Sequence, residues 1–542
     1  MDYQQLKTVY QVFLRHLKPA LRSPRETIQL IKKVFSTVNS GGLPKLLRRY
    51  SAPKNFQREY ARWVALYDNA TFGQERLNFQ PLFSILIVVD SPHGYNSLVS
   101  SMRRQTYPDW QLLISCHASL ASFEQPQLLS RRDQIRWFQA DKDTSLASRF
   151  DQLLTESAGE WIIILTPSTI LSDHALYFYA AEINKYPTAE IIYSDEDKID
   201  KKGQRYQPHF KPDWNPVLLL SQNYMGKAVA YRKARLQAAR GFHNILEQMF
   251  EWDLALRMTA FCKAEHIRHI PRVLSHGDAL SEPKLNEADM ARLSKDILAA
   301  HFQRLERKAS FVDLAKGRLR IKYQLPSPAP LISIIIPTRD NTTFLARCVQ
   351  SIREKTTYPS YEIIIVDNQS RDAKTLQYLG KLEARGELRV LRYDAPFNYS
   401  AINNFAIAHA KGELLALVND DIEVISPDWL EEMAGYAIQP ETGAVGAMLF
   451  YPNDTIQHAG TILGLHGVAG HVFPGQPRGY PGDHERCLTA QNLTAVTAAC
   501  MVLRRIIYEE AGGLDEALPI ACNDVDLCLR LVQKGYQNVW TP

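Results

Sequence analysis

Apolar residues along this chain gather into short solid runs, not strict alternation. Phe83-Ser-Ile-Leu-Ile-Val-Val-Asp90 and Ile332-Ser-Ile-Ile-Ile-Pro-Thr-Arg339 are two of them, each followed by a helical pattern and then by a further apolar run. Runs of about four to eight such residues, separated by helices, predict buried parallel strands in βαβ units. The longest, Trp161 to Leu165 and Leu331 to Pro337, fall far short of the roughly 20 apolar residues a membrane-spanning helix needs.

The pattern occurs twice, at a spacing of about 250 residues, which is the period of a domain and not of a solenoid. Beyond the opening runs, Met102-Arg-Arg-Gln-Thr-Tyr-Pro-Asp-Trp110 answers Ile352-Arg-Glu-Lys-Thr-Thr-Tyr-Pro-Ser-Tyr361. Ala158-Gly-Glu-Trp-Ile-Ile-Ile-Leu165 answers Lys411-Gly-Glu-Leu-Leu-Ala-Leu-Val418, and Glu251-Trp-Asp-Leu-Ala-Leu-Arg257 answers Asp524-Val-Asp-Leu-Cys-Leu-Arg530. The expected fold class is α/β, with two tandem doubly wound domains at 79–283 and 331–542. Between them, the helical stretch Asn286 to Glu306, the alternation Arg318 to Tyr323 and the prolines from Pro326 to Pro330 predict a helical and β linker at 284–330.

Composition narrows the class. A chain of 542 residues with 45% hydrophobic and 22% charged residues is neither disordered, collagenous nor a disulfide miniprotein. Its seven cysteines form no CxxC pair and are odd in number, which fits a reducing compartment with buried thiols better than disulfides or zinc. Met1 to Tyr10 lacks the pattern of a secretory signal, so a cytoplasmic protein is expected. The net charge of +5 hides an uneven distribution: residues 1–62 carry thirteen Lys and Arg against three Asp and Glu, a surplus of +10 that leaves −5 for the rest. Cations interleaved with Leu, Val, Ile and Phe and broken at Pro19, Pro24 and Pro53 predict a basic helical arm at 1–78. Such an arm suits peripheral contact with the anionic inner face of a membrane, and solvated helices packed on the next domain explain it equally well. The body has no basic surface signal for nucleic acid.

In open sheets, ligands sit beyond the carboxyl ends of the strands. In the second half those positions hold Pro337-Thr338-Arg339-Asp340 and Asp367-Asn368. A carboxylate there can accept from a base N–H or a ribose hydroxyl, although Asp and Asn also begin turns. Leu417-Val-Asn-Asp-Asp421 ends an apolar strand in carboxylates, a set suited to a hard divalent cation bound also by phosphate oxygens. Cys522-Asn-Asp-Val-Asp-Leu-Cys-Leu-Arg530 places Asp524 and Asp526 at the mouth of an apolar helix, one as a base toward a hydroxyl and the other to orient the loop.

These residues, with Gly412-Glu413 and Gly512-Gly513-Leu514-Asp515, resemble the ordered motifs of family 2 glycosyltransferases with the GT-A fold. Phe397-Asn-Tyr-Ser400 with Asn403-Asn404, Gln457-His-Ala-Gly460 and Gly467-Val-Ala-Gly-His471 resemble the subgroup that builds bacterial surface polysaccharides of the O-antigen or rhamnan type. The resemblance implies inverting transfer from a nucleotide-diphosphate sugar to a glycan or lipid-linked acceptor. It places Thr338 and Asp367, with Pro337, Arg339 and Asn403, on the nucleotide. Asp421, helped by Asn419 or Asp420, would hold Mg²⁺ or Mn²⁺, with Asp420 also on the nucleotide side. Asp524 would be the catalytic base, Asn523 and Asp526 its supports, and His458 and His471 would line the acceptor side.

The first half departs from that pattern. Aligning the repeats sets Val88-Val89 over Pro337-Thr338, Cys116 over Asp367, and Thr166-Pro167-Ser168 over Asn419-Asp420-Asp421. Hydroxyls do not replace carboxylates toward a hard cation, so a catalytically inactive copy is expected. Asp195 and Asp197 in Tyr193-Ser-Asp-Glu-Asp197 read either as a metal motif or as a polar loop, while Glu251 and Asp253 stand opposite Asp524 and Asp526. The family pattern continues past Trp540-Thr-Pro542 with a strand and a histidine, so a truncated C-terminus is one expectation. Two other readings remain: a non-catalytic glycan-binding or scaffold protein, and a nucleotidyltransferase. The latter is disfavoured because Pro337 to Asn341 contains no glycine to cradle phosphates.

Overall fold

The computed structural model describes residues 54–542 except 69–75, 91–94, 118–133, 201, 240, 243–248, 279–285, 315–317, 387 and 466–467. The chain forms two compact units, one of residues 1–74 with 200–208 and the other of the remainder. Within the first unit, the helix Lys54–Trp63 runs into a π-helical turn, Val64–Asp68. There Gln57 Nε2 donates to the Arg205 carbonyl at 2.6 Å, and Arg205 pairs with Asp68. Of the basic arm expected at 1–78, residues 1–53 and 69–75 lie outside the described residues.

The second unit contains two large sheets with the same strand order. In the first, Ile135–Ala140, Trp110–His117, Phe83–Val89, Trp161–Leu165, Ala230–Arg232, Ile191–Ile199 and Ile267–Asp278 lie side by side. In the second, Arg389–Arg392, Tyr361–Asp367, Ile332–Thr338, Leu414–Val418, Cys500–Arg504, Thr442–Ala447 and Gln537–Thr541 follow the same sequence. Registers agree as well. Phe83 stands beside Trp110 and Trp161, as Ile332 stands beside Tyr361 and Leu414. Val89 therefore faces Cys116 where Thr338 faces Asp367.

Each sheet is mixed rather than wholly parallel, because Ala230–Arg232 and Cys500–Arg504 run antiparallel to both neighbours. Apolar runs report burial on two faces but not direction, so the expectation of purely parallel strands missed this one. Strand Gln537–Thr541 pairs with Thr442–Ala447, so the chain reaches a late sheet strand before Pro542.

The fold repeats small devices that follow from the sequence repeat. Gly159 N donates to Ser84 Oγ and Gly412 N to Ser333 Oγ, both at 2.8 Å. A Cβ on Gly159 would meet Ser84 Oγ at 2.5 Å, and one on Gly412 would meet Ser333 N at 2.6 Å, so only glycine allows this approach. Tyr107 and Tyr358 donate to the Pro81 and Pro330 carbonyls at 2.8 and 2.7 Å, tying the loop before each second strand to the loop before each first strand. Helices cover both faces of each sheet, and strand residues such as Ile85, Leu112, Ile334 and Ile365 are fully buried. Each such side chain contributes roughly 1.5–3 kcal/mol, which is what makes the strand ends rigid platforms.

The segment between the sheets is a helix, Glu287–Arg304, capped by Asn286 Oδ1 on Asp289 N at 2.9 Å, and a hairpin of Ala309–Asp313 with Leu319–Tyr323. Lys322 reaches Asp428 at 2.8 Å and the Tyr323 ring meets Tyr436 edge-on at 5.2 Å, fixing the hairpin to the second half.

Candidate functional site

The first and second strands of the second half deliver Thr338 and Asp367 side by side. Asp367 is buried, its Oδ1 accepting from Ser370 N at 3.2 Å and its Oδ2 lying 3.8 Å from Arg392 Nη1. Thr338 turns toward the fourth strand, where its Oγ1 donates to Asp420 Oδ2 at 2.7 Å; Asn341 Nδ2 reaches the same oxygen at 3.3 Å. Burial raises the Asp420 carboxyl above its usual range, opposed by those two bonds and reinforced by the neighbouring Asp421 charge. Pro337 is half-buried beside it, and Arg339 and Asp421 are exposed.

These donors decide what the loop could hold. Among the described residues, no three His, Cys, Asp or Glu side chains converge on one point. Mg²⁺ commonly takes one or two carboxylates and completes its octahedron with water and substrate phosphate. Asp421 offers an exposed carboxylate of that kind, so the donor set fits a cation that arrives with a diphosphate. Asp420 is engaged by Thr338 and Asn341, and Asn419 Oδ1 lies 3.2 Å from the Tyr399 hydroxyl.

That hydroxyl is also 3.1 Å from the Ala498 carbonyl. The Ala498 N–H in turn donates to Asp524 Oδ2 at 3.1 Å, and Val525 N donates to Asp524 Oδ1 at 2.8 Å. Both carboxylate oxygens are thus oriented by main chain at the start of the helix Asn523–Gln533. Tyr399 joins the Asn419–Asp421 loop to the Asp524 loop. It belongs to the motif Phe397-Asn-Tyr-Ser400, whose sequence alone does not say that this hydroxyl bridges the two loops. The motif acts as a strap for the approach to Asp524. Tyr399 N donates to Pro519 O at 2.9 Å, Ser400 Oγ to Leu518 O at 2.9 Å, Asn398 Nδ2 to Glu516 O at 2.8 Å, and Asn404 Nδ2 to Leu514 O at 2.9 Å. The available signal was a row of polar residues on a helix whose other face is apolar.

Asn523 is buried, and its Oδ1 accepts from Asp524 N at 2.8 Å. Asp526 Oδ2 accepts from Arg530 Nε at 2.8 Å, and Arg530 reaches on to the Gly513 carbonyl at 2.7 Å. Asp526 therefore clamps its helix to the Gly512-Gly513 turn. Asn403 is fully buried within the helix Tyr399–Ala408, where its Nδ2 donates to Tyr399 O at 2.8 Å.

His458 and His471 meet through their Nδ1 atoms at 2.8 Å. Burial, with the His471 charge beside it, lowers the His458 pKa to about 3, so this ring is neutral. Its Nε2 accepts from Thr497 N at 3.4 Å, which puts the proton on Nδ1 and makes His458 the donor to His471. His471 is exposed.

At the matching strand ends of the first half, Arg149 is buried where the second half has Ile402. Its Nε donates to Ser115 Oγ at 3.0 Å, Nη1 to Asp90 Oδ1 at 2.5 Å, and Nη2 to Ser115 O at 2.9 Å. A guanidinium thus fills the space beside Cys116. Asp195 and Asp197 are also engaged, accepting from His269 Nε2 at 2.9 Å and pairing with His276 Nδ1 at 2.5 Å. Lys211 lies 3.2 Å from Glu196, and burial, which would raise the Glu196 pKa, is outweighed by the Lys211 charge, which lowers it. The polar-loop reading fits these partners better than a metal motif does.

Residues 333–512 match the family described as glycosyl transferase family 2. The chain is 38% identical over 490 residues to an uncharacterized protein, y4gI, of Sinorhizobium fredii, covering 86% of this chain and 53% of that one. It is 34% identical over 505 residues to the O-antigen biosynthesis protein RfbC of Myxococcus xanthus, covering 89% of this chain and 39% of that one. A Mycobacterium tuberculosis N-acetylglucosaminyl-diphospho-decaprenol L-rhamnosyltransferase is 25% identical over 231 residues, covering 39% of this chain and 74% of the relative. The chain spans about half or less of the length of the first two relatives.

Proposed function

We propose, from the match of residues 333–512 to glycosyl transferase family 2, that the second half is a GT-A transferase. It moves a sugar, with inversion, from a nucleotide-diphosphate sugar to a glycan or lipid-linked glycan in bacterial surface-polysaccharide synthesis. The observation that carries the reading is Asp524, held by two main-chain N–H groups and linked through Ala498 and Tyr399 to the Asn419–Asp421 loop. The O-antigen and rhamnosyltransferase relatives support the substrate class.

Asp367 and Thr338 orient the nucleoside at the strand ends, with Pro337 and Arg339 at the rim. Asp421 would hold a cation accompanying the diphosphate, and Asp420, pinned by Thr338 and Asn341, keeps the loop in place. A bound Mg²⁺ or Mn²⁺ would supply charge neutralisation to the departing diphosphate. Asp524 takes the proton of the acceptor hydroxyl as that oxygen bonds to the anomeric carbon and the carbon–diphosphate bond breaks. Asn523 and Asp526 hold Asp524, while His471, oriented by His458, faces the acceptor. The first half, with Arg149 in place of a nucleotide contact, does not transfer sugar. The basic arm holds the enzyme near a lipid-linked acceptor at the inner membrane face.

A screen of nucleotide sugars for metal-dependent release of nucleoside diphosphate tests the reading. Turnover with at least one donor, abolished by chelation, is expected. A chain that binds no nucleotide diphosphate in calorimetry with Mn²⁺ would sink it.

A further inference from the structure

Two asparagines join the two halves through a reciprocal set of hydrogen bonds, and we infer that this lock positions the acceptor side of the second half's site. Asn215 caps the helix Pro216–Ser221, its Oδ1 accepting from Leu218 N at 3.0 Å and also from Asn492 N at 2.8 Å. Its Nδ2 donates to the Asn492 carbonyl at 2.8 Å, while Asn492 Oδ1 accepts from Val217 N at 3.1 Å. Main chain and side chain of Asn492 are both paired with the first half. Asn215 is only 3% exposed, so no water stands ready to replace these bonds.

From Asn492 the constraint runs toward the chemistry. Asn492 pairs with Val539 in the sheet, and the neighbouring Asn538 donates through Nδ2 to Thr494 O at 2.9 Å and to Cys528 O at 3.1 Å. Cys528 lies on the helix that begins at Asn523. The stretch from Asn492 therefore starts fixed to the first half. It ends at Thr497 and Ala498, whose N–H groups donate to His458 and Asp524. The first half keeps a function after losing its own donor site: it sets where the partner loop stands. Asn215 is a positioning residue, acting on Asp524 through segment 492–498. The inference rests on reading Asp524 as the base.

Asn215→Ser keeps a capping oxygen for Leu218 but cannot reach Asn492, and Asn492→Ala removes the bond from Val217 N while keeping the Asn492 main-chain groups. In Asn215→Ser, amide hydrogen exchange in 493–498 should rise about ten-fold, and less in Asn492→Ala, while 332–338 is unchanged in both. Nucleoside diphosphate release should fall about ten-fold in kcat with the KM for the nucleotide sugar unaltered. Exchange unaltered in 493–498 overturns the inference. So does exchange that rises equally in 332–338, which would make the lock a general stabiliser, or a loss of turnover that lies in donor KM. If the wild-type chain turns over no nucleotide sugar, the exchange measurement alone decides the lock, so the two failures remain distinct.

Discussion

At equivalent strand ends the two halves present opposite charges on nearly the same backbone. The second half has Thr338, Asp367 and Asp420 in one hydrogen-bonded corner with Asp421 exposed beside it. The first half has Val89 and Cys116 there, with the Arg149 guanidinium bonded to Ser115 and Asp90. At the later helix, by contrast, one device is kept in both. Arg257 binds Asp253 at 2.8 Å and the Gly241 carbonyl at 2.7 Å, just as Arg530 binds Asp526 and Gly513. Gly241 and Gly513 share a positive φ, 70° and 73°, that turns each carbonyl to its arginine. Asp253 and Asp526 thus tie their helices to the preceding glycine turn in both halves, whereas Asp524 stands opposite Glu251.

The largest effect that would sharpen this contrast is on turnover. Asp524→Asn or Asp421→Ala should lower metal-dependent nucleoside diphosphate release by roughly 10²–10⁴-fold, whereas Glu251→Gln should leave it within about two-fold. A comparable loss in Glu251→Gln would give the first half a share in catalysis. The contrast can also be attacked from the other side, by grafting Cys116→Asp, Thr166→Asn, Pro167→Asp and Ser168→Asp onto the first half of a chain that carries Asp367→Ala and Asp421→Ala in the second. Calorimetry should detect no nucleotide binding tighter than about 1 mM while Arg149 remains, because its guanidinium occupies the space and already has its partners. Binding without an Arg149 substitution would show that the lost carboxylates alone account for the difference.

The repeat in the sequence carried most of the architecture. Residues that must be buried on both faces, such as those of Ile332 to Ile336, leave a solid apolar run, and two such runs with the same followers imply the same sheet twice. What the runs could not report was direction, hence the antiparallel Cys500–Arg504. The strand ends before Asn368 and Asn419 were legible because a solid apolar run stops there at polar residues. Tyr399 and Asn492 were missed since their roles depend on contacts more than 70 residues away, with Ala498 and with Asn215, which no local pattern encodes.

A smaller effect separates the two copies of the Asp–Arg clamp. Both side chains of the Asp253–Arg257 pair are at most 5% exposed, against 26% and 32% for Arg530 and Asp526. Removing one partner of a buried pair leaves an uncompensated charge and costs about 3–5 kcal/mol, while the half-solvated pair is screened and should cost about 1 kcal/mol. Denaturant unfolding of Asp253→Ala and Asp526→Ala measures this directly. Equal losses would mean that burial does not distinguish the copies.

The halves should also respond oppositely to acid. His458 in the second half is neutral, its pKa lowered to about 3 by burial and the His471 charge. For His269 in the first half, burial alone would lower the pKa, but bonds to Asp195 and Asp213 outweigh it and the pKa is raised. An unfolded histidine titrates near 6.5, so below that pH the unfolded chain takes a proton that folded His458 refuses. Its contribution is complete above pH 6.5 and declines as pH falls toward about 3, by up to about 1.4 kcal/mol per unit. His269 contributes in the other direction: its stabilisation is complete below the unfolded value and is lost as pH rises through its raised folded value. Amide exchange, corrected for its intrinsic pH dependence, should therefore become less protected around Ile456–His458 between pH 6.5 and 5, while strand Ile267–Asp278 holds or gains protection. Equal loss in both would mean that the two sheets share one acid response, and that the contrast between a histidine held between carboxylates and one held against a second imidazole does not reach stability.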